Sequence, residues 1–76
     1  MLTSDGPMRT FHAIIERDLE TGLLVGHVSG WPGAHSLADS LQELRANLQE
    51  VVSMLLEHGE PQFESEFVAV QIVAVP

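Results

Sequence analysis

The chain has 76 residues, with three arginines, no lysine, eleven acidic side chains, four histidines and no cysteine, for a formal net charge of −8. So acidic a chain cannot lay a row of cations along a phosphate backbone, which excludes direct nucleic-acid binding as an expectation. Its 45% hydrophobic content supplies the core that a disordered acidic tail lacks.

A chain of this length is one domain that buries only about 60% of its unfolded surface. Disulfides are unavailable to it, so the expected supplement is association with a second copy or a partner. No apolar run approaches the roughly 20 residues that cross a bilayer. Residues 1–8, with Asp5 and Gly6-Pro7 and no basic start, do not read as a signal peptide. The expected organisation is a flexible N-terminus over 1–8 and a single domain over 9–76 of a cytoplasmic protein, without membrane contact.

In residues 9–17, Phe11, Ala13 and Ile15 alternate with His12, Ile14 and Glu16, a strand pattern. Asp18 to Gly22 reads as a turn closed by a glycine free to take positive φ, and 23–28 as the second strand of an antiparallel hairpin. Placing Arg17 opposite Leu23 puts His12 and His27 on opposite faces of that hairpin. Trp31-Pro32-Gly33 breaks the pattern, and a short third strand around Ala34 is left open.

Ser36, with Asp39 three residues on, approximates a capping box. From there Leu37, Leu41, Leu44, Leu48, Val51, Val52 and Leu55 trace one stripe of a helix over 37–58. Such a helix is about 33 Å long and reaches across a small sheet. Gly59 and Pro61 end it. The tail, 64–76, reads as a last strand apolar on both faces, central in a covered sheet or meeting another chain.

These elements give an α+β fold. It has an antiparallel or mixed sheet of three to four strands with one long helix on one face, in the order β-β-(β)-α-β. One helix covers one face only. Val68, Val70, Ile72, Ile14, Leu24 and Val28 are assigned to an apolar patch on the other, which predicts a homodimer or higher oligomer, with Val68, Val70 and Ile72 as its interface.

Chemistry finds little support. His35, placed in the loop before the helix, and His58, at its end, stand about 35 Å apart. No histidines show the spacing of a helical zinc site, and no serine sits in a nucleophile elbow. No catalytic residue, metal ligand or cofactor is assigned, and the expectation is a protein that is not an enzyme. Trp31 reads first as a plug over the open end of the core and second as an aromatic anchor in an interface.

Taken in order, the strand to Arg17, the acidic turn closing on Gly22, the strand to Val28, Trp31-Pro32-Gly33, and the helix through Ala38, Leu41 and Asn47 resemble the HicB family of antitoxins. That family's pattern is a hairpin, a P-x-L-P-G-C segment and T-x-E-E-A opening a helix with a later Asn. Here Ala34 stands in the place of the Cys, and the resemblance spans residues 11–57. It implies a partial ribonuclease H-like fold without nuclease activity. It also implies binding to a basic HicA-like toxin, a small ribonuclease whose catalytic and RNA surface the antitoxin hides.

An acidic chain suits that task, because complementary charge speeds encounter and burial removes the toxin's route to phosphate. Glu16, Asp18, Glu20, Glu43, Glu50 and Glu57, together with Trp31, are the candidate contacts, although each acid is also explained as solvated surface. Many family members add a DNA-binding domain. With the sequence closing at Pro76, none is expected here. The alternative function is an orphan homo-oligomeric scaffold or small-ligand-binding protein of the same fold with no toxin.

Overall fold

The computed structural model describes residues 9–76. The flexible N-terminus expected over 1–8 lies outside them. Three antiparallel strands, β1 (Ala13–Arg17), β2 (Leu24–Val28) and β3 (Trp31–Ala38), form one sheet in that spatial order, and α1 (Leu41–Leu56) packs on one face. The α+β class and three strands of the expected order are therefore present.

The hairpin forms because Asp18 organises its turn. The backbone N–H groups of Gly22 and Asp18 donate to the carbonyls of Asp18 and Leu23, at 2.7 and 2.8 Å. The Asp18 carboxylate accepts from the Glu20 N–H and the Thr21 hydroxyl, both at 3.1 Å. Gly22 takes φ +79°, the left-handed region that closes the loop.

The register differs by one residue from the expected one. Arg17 pairs with Leu24 and Ile14 with His27, and the Ser29 N–H donates to the His12 carbonyl at 2.8 Å. Cross-strand partners share a face, so His12 and His27 lie on the same face rather than on opposite ones.

β3 is a full strand of eight residues, and it absorbs what sequence assigned to a breaking loop and to the start of the helix. Ser36, Leu37 and Ala38 pair with Gly26, Val25 and Leu24. His35 stands opposite His27 rather than in a loop. Pro32 is tolerated because β3 is an edge strand, and the pairing slips at His27/Val28 where Val28 meets Trp31.

The helix consequently starts at Leu41, not Leu37. Its N-cap is Ser40, whose hydroxyl accepts from the Glu43 N–H at 3.1 Å, while the Glu43 carboxylate accepts from the Asp39 N–H at 3.3 Å. This is a capping-box arrangement four residues beyond the expected one. Sixteen residues make a helix of about 24 Å. It packs over β2 and β3 without contacting β1.

Leu24, Ala38, Leu44 and Leu48 form the core under the helix, joined by buried Val28 and Ala34. Leu24 and Val28, expected in the uncovered patch, are instead beneath α1. Gly26 between them lets the helix approach, since a Cβ there would meet Leu44 Cδ2 and Leu48 Cδ1 at 3.2 Å.

The segment after the helix crosses back to the hairpin. The Glu64 N–H donates to the Gly30 carbonyl at 2.7 Å, and Gly30, at φ +77°, has the Ser65 backbone where a side chain would stand. Beyond Phe67 the chain pairs with no strand among the described residues, so the fourth strand expected over the tail is not formed within the chain.

Candidate interaction surface

The sheet face opposite α1 carries Ile14 and Glu16 from β1, Val25 and His27 from β2, and His35 and Leu37 from β3. Parity places them there, because the core residues Leu24, Gly26 and Val28 take the alternate positions. Ile14, Val25 and Leu37 are all exposed, the last at 56%. The uncovered apolar patch is therefore real, but its members are Ile14, Val25 and Leu37. Val25 and Leu37 were overlooked because the one-residue change of register and the unrecognised strand both alter which side chains face outward.

Three histidines mark this region. His27 and His35 are cross-strand partners, and the His35 ring donates from Nδ1 to the Pro32 carbonyl at 2.9 Å. His12 stacks on Phe67 with ring centroids 4.4 Å apart. Among the described residues no group of three His, Cys, Asp or Glu side chains is placed to hold a metal ion.

The candidate acidic contacts divide into two places. Glu16, Asp18 and Glu20 gather at the turn end of the hairpin, where Asp18 is already occupied in holding the loop. Glu43, Glu50 and Glu57 are seven residues apart and so form one exposed row on the outward face of the helix. Glu43 also serves the cap. These two groups are negative ends of the molecule, not a single cluster.

Trp31, read from sequence as a plug or an interface anchor, packs against two other aromatic rings. Its ring lies 5.9 Å from Phe11 and 5.8 Å from Phe63, with Phe11 and Phe63 6.2 Å apart, a three-ring cluster closing one end of the fold. Arg9 sits 5.5 Å above the Phe11 ring and pairs with Glu60 at 3.1 Å. Phe63 escaped sequence reasoning. Its one signal is an aromatic standing alone after the Pro61 break.

A second feature absent from the sequence reading is an apolar groove of about 840 Å³ between β1 and α1. Ala13, Ile15, Leu41, Leu48, Val52 and Leu56 line it. It exists because the helix covers only two of three strands. Val68, Val70 and Ile72, the expected oligomer interface, are largely exposed, at 84, 80 and 95%.

These features define a small α+β sheet-and-helix protein whose apolar surfaces exceed what one helix covers. Its relatives agree in size. It is 41% identical over 68 residues to a UPF0150 protein of Thermotoga maritima, covering 88% of this chain and 91% of that one. It is 38% identical over 65 residues to a UPF0150 protein of Archaeoglobus fulgidus and 37% identical over 65 to one of Synechocystis, each covering 86% of this chain and 93% of the relative. The chain belongs to the UPF0150 family. No family model matches it, and no solved structure matches. No helix in the described residues is long and apolar enough to cross a membrane.

Proposed function

We propose that this UPF0150 protein is a HicB-like antitoxin, a non-enzymatic binding module that occludes a basic HicA-like mRNA interferase in the cytoplasm. The observation that carries the reading is the pairing of surfaces on one small body. An exposed apolar sheet face at Ile14, Val25 and Leu37 is flanked at the hairpin end by Glu16 and Glu20, and the outward face of the helix carries the Glu43, Glu50 and Glu57 row. Apolar area of that kind supplies affinity. The net negative charge, with only three arginines in the chain against eleven acids, favours a cationic partner and repels nucleic acid. The fold order, hairpin, edge strand, helix and apolar tail, supports the family resemblance on which the toxin rests.

Co-expression tests it. The short basic open reading frame adjacent to the gene should arrest growth alone and be neutralised by this chain. A harmless neighbour, or a toxic one that this chain fails to rescue, refutes the reading. The exposed apolar tail favours the second reading, an orphan homo-oligomeric scaffold, which predicts self-assembly without any basic partner.

A further inference from the structure

The groove beside β1 and the bare tail are complementary, and we infer that the C-terminal segment 67–75 of one copy adds as a strand to the outer edge of β1 in a second copy. Its inward side chains fill the groove between β1 and α1. The inference concerns assembly of the chain with itself and stands apart from the toxin reading.

The donor segment is fitted to leave its own body. Residues 67–76 contain no charged side chain in a chain of net charge −8, and Val, Ile and Phe dominate them. Ile72 is 95% exposed and Val75 82%. An apolar, β-branched stretch in that state is a strand without a sheet. At about 3.3 Å per residue, nine residues span about 30 Å, well beyond the roughly 17 Å of the five-residue β1.

The acceptor has the matching defects. β1 is an edge strand with every residue exposed, Ile15 among them at 39%. The groove on its helix side is lined by two of the chain's three arginines, Arg9 and Arg45, and by no acidic side chain among the described residues. Arg9 is paired with Glu60 at 3.1 Å, so the groove carries little net charge beyond Arg45 and suits an uncharged segment of a second copy. A strand laid along β1 turns alternate residues to the groove. Val68, Val70, Ile72 and Ala74 form the continuous apolar row suited to it, leaving Gln71 on the other side.

Within its own chain the tail leaves the β1 edge unfilled: Phe67 stacks on His12 just before that strand, yet Val68, Val70 and Ile72 beyond it are largely exposed and pair with no strand among the described residues. Reciprocal exchange about a two-fold axis satisfies both molecules with the same contacts. Two such segments bury on the order of 800 Å² per partner, the size of a standard specific interface.

Light scattering of the full chain at micromolar concentration, with half-filtered NOE spectra of mixed labelled and unlabelled chains, tests the assembly. The expected mass is at least twice 8.3 kDa, with intermolecular NOEs between the Ile15 methyls of one chain and the Val68–Val75 methyls of the other. Val70→Asp should return the mass to that of one chain while circular dichroism keeps its helix signal. Leu19→Asp, on the equally exposed hairpin turn, should leave the assembly intact. A monomeric wild-type chain overturns the inference. So does an oligomer that survives Val70→Asp, or one whose Ile15-to-tail NOEs are only intramolecular.

Discussion

Two serines four residues apart compete to start the helix, and their side chains separate the outcomes. The Ser40 hydroxyl accepts from the Glu43 N–H, whereas Ser36 is paired with Gly26 in the sheet. Ser40→Ala should therefore cost about 1 kcal/mol of stability in urea denaturation, and Ser36→Ala should leave helix capping unchanged. Gly26 makes a second test at this scale. With Leu44 and Leu48 methyls 3.2 Å from the place of its missing Cβ, Gly26→Val overpacks the core and should destabilise by about 1–3 kcal/mol. Leu44 is fully buried, and Leu44→Ala should cost about 2–5 kcal/mol through lost burial and a cavity.

At the level of elements, the placement of α1 governs the rest. A sixteen-residue helix seated over β2 and β3 leaves β1 uncovered on both faces, which explains why no residue of that strand is buried. The aromatic cluster of Phe11, Trp31 and Phe63 compensates at the strand's entry by joining the chain before β1, the start of β3 and the segment after the helix. Its loss should loosen the root of the tail. Trp31→Phe should retain the fold, and Phe63→Ala should speed amide exchange at Glu64, whose N–H bonds to Gly30, more than in the β2 core.

For the whole molecule, charge distribution matters more than its sum. Acidic side chains concentrate at the hairpin turn and the outer helix face, while the groove beside β1 holds arginine and apolar groups. In the proposed function the first arrangement would meet a basic partner, and in the proposed assembly the second would meet a copy of the chain. If the proposed cationic toxin is the partner, its association should slow at least tenfold between low and high salt, measured by stopped flow. The combined Glu43→Gln, Glu50→Gln, Glu57→Gln variant should weaken that dependence. Self-assembly through the uncharged tail should change little over the same range.

Much of this architecture was legible in the residues. The alternation from Phe11 to Glu16, the free φ at Gly22, the stripe from Leu37 to Leu55 and the Gly59 stop are local signals, each fixed by contacts a few positions away, and the hairpin and the body of the helix appear where they pointed, although the helix starts at Leu41. The apolar character of 67–75 was equally plain. What local signals could not decide was whether residues 36–40 join strand or helix, since each choice satisfies its own capping and periodicity. Pairing of Ser36 with Gly26 and Ala38 with Leu24 settles it across a chain separation that no window of sequence sees. The same pairing sets the register, hence which of Leu24, Val25 and Val28 are buried, and seats the helix so that one edge of the sheet stays open. Hydrophobic patterning established that this chain has more apolar surface than it can bury, and long-range packing determined where that surface lies.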